Sequence, residues 1–318
     1  MTSGPGVLVT GATGFVGRAL CEALVASGHQ VKRANRTLQL GQPDAVAVGE
    51  IGPDTDWRTA LEGVSSVVHL AARTHVLRET AADPSAEYQR VNLDGTRGLA
   101  QMAARAGVRR LVFMSSIKVN GEATERPFTE DDVPRPEDAY GRSKWETEQA
   151  LARVAAETGL QVTVLRPPLV YGPGVKGNFL RLMDIVARGM PLPLASIENR
   201  RSLIYVGNLV DAIVKAIDTP CAAGRTYLVS DGEDVSTPDL ARALARALGV
   251  RPRLLPCPPA LLMLGAALAG KRAELARLTG SLQMDSAAIQ RELDWRPRFT
   301  LAQGLAETAR WYYSQSRA

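Results

Sequence analysis

With 318 residues, 45% of them hydrophobic and 22% charged, the chain can bury a large core and has the make-up of a globular protein, in one large domain or two. Its net charge of +5 suits an anionic ligand. The basic residues are scattered and form no dense run, so nucleic acid is not expected as a partner.

The first element is Gly6-Val-Leu-Val-Thr10, a short apolar run of strand type. Gly11-Ala-Thr13-Gly14-Phe15-Val16-Gly17 follows at once, and 18–27 carries an apolar helical stripe closed by Gly28. A strand, a glycine-rich turn and a helix in that order form a dinucleotide fingerprint. The glycines let backbone approach a pyrophosphate, and the helix N-terminus supplies amide donors and partial positive charge. Further strands are predicted over 31–35, 45–48, 66–70, 111–115 and 161–165, with helices over 58–62, 84–106 and 140–157. This alternation predicts an α/β fold of Rossmann type, a doubly wound parallel sheet with ligands at the carboxyl ends of the strands.

Beyond residue 170 the chain is richer in Gly, Pro and long loops. The 13 residues 258–270 are almost wholly apolar. They fall short of the roughly 20 needed to span a bilayer and read as a buried helix, with a membrane-surface contact as the lesser alternative, so membrane association is not the expectation. Cys21, Cys221 and Cys257 are far apart and read as free thiols of a reducing compartment. No basic leader precedes an apolar stretch at the N-terminus, so a cytoplasmic location is expected. His29, His69 and His75 have no metal-ligand spacing, and no metal is expected.

Tyr140 and Lys144 stand four residues apart in Ala139-Tyr-Gly-Arg-Ser-Lys144, which puts them on one helix face. An ordinary tyrosine, with a pKa near 10, is a poor base at neutral pH. A cation about 5 Å away at an effective dielectric of about 20 stabilises the phenolate by roughly 3 kcal/mol, about two pKa units. The spacing therefore points to Tyr140 as a general acid–base group.

Together these segments resemble the extended short-chain dehydrogenase/reductase family, the NAD-dependent epimerases and dehydratases, nearly from end to end. Val67-Val-His-Leu70-Ala71-Ala72 resembles the strand end beside the cofactor, and Asn92 the active-site helix asparagine. Leu111-Val-Phe-Met-Ser115-Ser116 resembles the strand that ends in the catalytic serine. Leu165-Arg-Pro167-Pro-Leu-Val-Tyr-Gly-Pro173 resembles the next strand and its loop. The block 201–211 resembles the one that brings an arginine to the substrate's phosphates. Glu292-Leu-Asp-Trp-Arg-Pro297 resembles a late Leu-Gly-Trp signature, with Asp294 where glycine is usual.

The resemblance implies Ser116, Tyr140 and Lys144 as catalytic residues, the serine holding the reacting oxygen while the tyrosine moves the proton. It implies NAD(P) held by Gly11, Thr13, Gly14, Phe15, Val16, Gly17, Asn35, Arg36, Glu50, Ile51, Leu70, Ala71, Ala72, Asn92 and Pro167, beside Tyr140 and Lys144. A nucleotide-diphosphate sugar would meet Ser115, Ser116, Lys118, Asn178 and Arg201. The dinucleotide domain would cover 1–170 with 201–230 returning to it, and a substrate lobe would cover 171–200 and 231–318. Helices 84–106 and 140–157 would build a homodimer interface.

Departures narrow the chemistry. Ile117 and Lys118 occupy the positions where 4,6-dehydratases carry an acidic pair, which leaves oxidation or reduction at one sugar carbon, C4. Asn120 replaces the usual tyrosine, and Lys118 would pair with a substrate anion or be solvated. After the second strand, Asn35 and Arg36 stand where an acidic residue would bind the ribose of NAD and repel a 2′-phosphate. The principal expectation is a nucleotide-sugar 4-epimerase, resembled also by the run 279–285, with NAD as its cofactor. An NADPH-dependent 4-ketosugar reductase is the alternative. A non-catalytic NAD(P)-binding regulator would lack the intact Ser116, Tyr140 and Lys144, and apolar steroid-type substrates would not call for Arg201.

Overall fold

A computed structural model describes residues 6–38, 43–74, 83–268, 270 and 272–315. Strand β1 (Gly6–Thr10) leads through the glycine turn into α1 (Phe15–Ala26), followed by β2 (Gln30–Asn35), β3 (Ala45–Ala47), α2 (Arg58–Leu61) and β4 (Ser66–His69). His75 lies outside the described residues. Helix α3 (Pro84–Tyr88) runs through a π-helical turn (Gln89–Asp94) into α4 (Gly95–Arg105). Strand β5 (Arg110–Met114), α5 (Ala139–Thr158) and β6 (Gln161–Arg166) follow. The helix predicted over 84–106 thus forms as one run, with a wide π turn over Gln89–Asp94 that holds Asn92.

The seven-stranded sheet is parallel throughout, in the order β3-β2-β1-β4-β5-β6-β9, where β9 is Thr226–Leu228. Strand order reverses between β1 and β4, and such a switch point opens a crevice at the carboxyl ends of the strands. Alternate residues serve the two faces. Val7, Val9, Val68 and Val112 join one apolar cluster, with Leu20 and Leu24 of α1 and Ile213 of α7 (Val206–Asp218). Leu8, Val67, Leu111 and Phe113 join the other, with Leu99 of α4 and Leu151 of α5. Edge strand β9 was not predicted, because three residues carry too little pattern.

The remaining chain forms a short parallel pair, β7 (Leu169–Tyr171) with β8 (Leu203–Tyr205). It also forms helices α6 (Gly177–Ala187), α8 (Thr237–Ala247), α9 (Pro259–Leu268), α10 (Arg272–Thr279), α11 (Ala287–Leu293) and α12 (Leu301–Gln315). Asp294 takes a left-handed conformation, φ 45°, as it closes α11. That geometry explains why glycine is usual at this position. The expectation of a buried helix over 258–270 is corrected. Helix α9 forms, but none of its described side chains is buried, and Leu261 is 59% exposed. No helix among the described residues is long and apolar enough to cross a membrane.

Candidate active site

The crevice at the switch point is a cleft of about 540 Å³. It is lined by Gly11, Thr13, Asn35, Arg36, Glu50, Ile51, Ala71 and Ala72, as expected from sequence, and by Arg73, Glu87 and Arg90, which were not. Gly11 has φ 68°, and its amide-side approach to Ala71 leaves no room for a side chain. A Cβ on Gly17 would stand 2.1 Å from the Gly11 carbonyl oxygen. Tight packing here brings the first amides of α1, at Phe15 and Val16, up to the turn, and the first turn of α1 holds no acidic side chain.

Asn35 ends β2 buried, and neither its side-chain oxygen nor its nitrogen has a protein partner. A buried, unsatisfied amide is costly, so a ligand with donor and acceptor groups fits this spot, as a ribose does. Arg36 lies 3.9 Å from Glu50, with both side chains largely exposed. The residues present therefore fit a dinucleotide, with no carboxylate at the end of β2 to repel a 2′-phosphate. Replacing Arg36 with alanine is expected to weaken NADPH about ten- to hundredfold while changing NADH little, the loss of one charge-assisted contact of roughly 1.5–3 kcal/mol. Fluorescence titration with each cofactor checks it, and equal losses would remove the phosphate preference.

His69, at the end of β4, accepts and donates within a buried chain. It lies 2.8 Å from the Thr10 hydroxyl and 2.9 Å from that of Thr96. Burial, helped by Lys144, pulls its pKa down to about 3, so it stays neutral and serves structure. The Thr10 hydroxyl in turn accepts from the Ala71 amide, which fixes the chain leaving Leu70.

Asn92 was expected to touch the cofactor, but its side chain is committed elsewhere. It clamps Arg73 through both backbone groups, at 2.8 and 3.1 Å, and donates to Ser143 at 3.0 Å. The π turn leaves the Asn92 carbonyl to accept from Thr147 of α5. Asn92 therefore ties the cleft wall to the helix that carries Tyr140. Wide turns of this kind recur at functional sites.

Helix α5 starts at Asp138, whose carboxylate caps it by accepting from the Gly141 amide at 2.7 Å. Tyr140 and Lys144 lie one turn apart, with the ammonium 5.8 Å from the centre of the phenol ring. Lys144 is buried, donates to the Met114 carbonyl at 2.7 Å and sits 4.5 Å over Phe113. Burial pushes its pKa down to about 7, opposed by the charge of Glu148.

Tyr140 differs from the sequence reading. Burial, with Asp138 and Tyr88 adding to it, drives its pKa well above the ordinary value. A lysine that is itself poorly charged cannot offset that cost alone. The phenol is a proton donor in this state, and its use as a base requires a further positive charge nearby. Tyr88 packs edge-on against its ring at 6.3 Å.

Ser116 begins the turn after β5, half-buried, and its hydroxyl oxygen accepts from the Lys118 amide at 3.3 Å. The Pro167 carbonyl accepts from the Ile117 amide at 3.0 Å and holds this turn to the end of β6. Ser115, on the opposite face of the strand, donates to Glu148 at 2.5 Å. That bond replaces the substrate contact expected of it. Lys118, half-buried, is paired within the protein, with Glu122 at 2.9 Å and Asp138 at 2.5 Å.

Glu148 was missed in the sequence. It lies one further turn along the face of Tyr140 and Lys144, and meets Arg166 of β6 in a two-pronged pair, 3.0 and 2.5 Å. Arg166 also donates to Asn120 at 3.0 Å, which gives this departure from the family a structural role. Asn178 stands exposed in the first turn of α6. Arg201, just ahead of β8, is mostly buried and donates to the Gly280 carbonyl at 2.9 Å. Burial lowers its pKa, while Glu122 nearby acts the other way.

Residues 7–230 match the model of the NAD dependent epimerase/dehydratase family. The chain belongs to that family. The UDP-glucose 4-epimerase of Vibrio cholerae is 44% identical over 95% of this chain and 94% of its own. An N-acetyl-alpha-D-glucosaminyl-diphospho-ditrans,octacis-undecaprenol 4-epimerase of Escherichia coli O157:H7 is 27% identical over 98% and 96%. Among solved structures, MoeE5 in complex with UDP-glucose and NAD superposes with a TM-score of 0.79, at 28% identity, over 98% of this chain and 99% of that one. In this epimerase/dehydratase-family enzyme the serine, tyrosine and lysine of the motif are all present. Among the described residues no cluster of His, Cys, Asp and Glu could hold a metal.

Proposed function

We propose that this enzyme is a nucleotide-sugar 4-epimerase acting on a UDP-glucose-like substrate. The observation that carries the proposal is Tyr140 and Lys144 one helical turn apart, the ammonium 5.8 Å from the phenol ring and bonded to the Met114 carbonyl at the end of β5, the strand that Ser116 follows. The Vibrio cholerae relative, similar over nearly the whole chain, supports the same reading. When bound, a nicotinamide supplies hydride exchange at the sugar carbon. The Ser116 hydroxyl would hold the C4 oxygen, Tyr140 would take its proton and give it back, and Lys144 would stabilise the phenolate. Arg201 and Asn178 hold the diphosphate end, and α4 and α5 pair with those of a second copy. The free, separated cysteines support a reducing, cytoplasmic setting.

A 4-ketosugar reductase is the second reading, favoured by Asn35 and Arg36 in place of an acidic residue. Mass spectrometry of the cofactor released on denaturation, together with NMR of a UDP-sugar incubated with enzyme alone, separates the two. Tightly held NAD with interconversion of C4 epimers supports the epimerase. An enzyme inert without added NADPH supports the reductase.

The arginine contact has its own test. Arg201→Ala is expected to raise KM for the sugar nucleotide about ten- to hundredfold and to leave cofactor affinity nearly unchanged. Arg201→Lys should recover only part, because an ammonium does not reproduce the planar fork. An unchanged KM would move the diphosphate elsewhere.

A further inference from the structure

We infer that the hairpin of α9 and α10 is a docking surface for an anionic lipid bilayer. The segment from Leu254 to the end of α9 is apolar in sequence, and none of its described side chains is buried. Leu255 is 51% and Leu261 59% exposed, Pro258, Pro259 and Ala260 are exposed beside them, and Leu262 and Met263 are only half-buried. An all-apolar helix normally sits in a core, so one left outside calls for a cover.

Charge selects the cover. Between Asp239 and Glu274 the chain carries six basic residues, Arg242, Arg246, Arg251, Arg253, Lys271 and Arg272, and no acidic one. Arg246, Arg251 and Arg253 are exposed ahead of the apolar run, and Lys271 and Arg272 follow it in sequence. A second copy docked symmetrically on this face would bring its exposed Arg251 and Arg253 towards those of the first, which repels. An anionic bilayer offers an apolar interior and a negative surface, matching both features. At 10 residues α9 is about 15 Å long, enough to lie in the interface and too short to cross it.

The feet of the hairpin are fixed. Leu192 and Leu255 exchange backbone bonds with the paired segment, Leu192 donating to Arg253 at 2.8 Å and Leu255 to Leu192 at 2.8 Å. At the far end, Asn199 donates to the Leu278 carbonyl at 3.0 Å and Arg201 to that of Gly280. The hairpin is thereby anchored, through Gly280, to the segment that carries Arg201. The inference rests on exposure and charge and stands apart from the catalytic assignment.

The test is sedimentation of the full chain with sucrose-loaded vesicles, either phosphatidylcholine alone or equal parts phosphatidylcholine and phosphatidylglycerol. Binding to the anionic vesicles is expected to exceed binding to the neutral ones at least about tenfold in about 0.1 M salt. It should fade near 1 M salt, where the Debye length falls from about 10 to about 3 Å. Leu261→Glu and the double variant Arg251→Glu/Arg253→Glu should each lose about tenfold or more, with turnover of a water-soluble UDP-sugar unchanged. The arginines are exposed, so the double variant remains informative if Leu261→Glu folds poorly. Equal binding to both vesicles, or none to either, would overturn the inference. So would an oligomer that Leu261→Glu dissociates, which would assign the face to a second copy.

Discussion

Tyr140→Phe is expected to lower turnover by about 10² to 10⁴, the usual contribution of a positioned acid–base group, while fold and cofactor affinity stay as they are. The phenyl ring keeps its edge-on packing against Tyr88, and only the hydroxyl is lost. Because burial holds the phenol protonated in the free protein, the base form depends on positive charge arriving beside it. Activity should therefore rise with pH as the cofactor-bound tyrosine ionises. It should fall again as Lys144, whose pKa is brought down to about 7, loses its proton. The pH–rate profile of the parent and cofactor titration of the Phe variant measure both parts. Turnover within about threefold of the parent would remove Tyr140 from the chemistry.

The parts of this site legible in the sequence are those set by local geometry. Gly11, Gly14 and Gly17 between a strand and a helix, and Tyr140 four residues from Lys144, keep their meaning in any fold that forms those two elements. The doubly wound parallel sheet follows from strand–helix alternation, while the strand order appears only in the fold. What escaped depends on partners distant in the chain. Glu148 shows its place on the helix face by spacing, but Arg166 as its partner appears only when β6 lies beside α5. Lys118 reads as a free cation until Asp138 and Glu122 fold back onto it. Asn92 reads as a ligand contact until the π turn aims it at Arg73 and Ser143. The apolar run 258–270 fails in the opposite sense. Composition alone reads as core, and only the fold shows that none of the described side chains of α9 is buried.

Removing one member of the Glu148–Arg166 pair is expected to cost stability on the order of 3–5 kcal/mol, because the survivor is left buried without its counter-charge. The two side chains are only 5% and 4% exposed. Glu148→Leu leaves Arg166 with Asn120 and the Trp145 ring but no counter-charge, and leaves the Ser115 hydroxyl without its acceptor. The double variant Glu148→Leu/Arg166→Met should regain much of the loss, since an apolar pair of similar volume restores packing without a stranded charge. Denaturant melts of the parent and the three variants read this as a double-mutant cycle. Catalysis should not follow stability. Glu148 is the group whose charge raises the Lys144 pKa, and the other titratable groups around that ammonium are neutral His69 and Tyr140. Without Glu148, Lys144 should lose its proton at lower pH, and the high-pH limb of activity should move down in both Glu148→Leu and the double variant. A double variant that regains both stability and the parental pH profile would show that the pair only packs the helix. One that regains stability with a shifted profile would establish Glu148 as the residue that keeps Lys144 charged for its work on Tyr140.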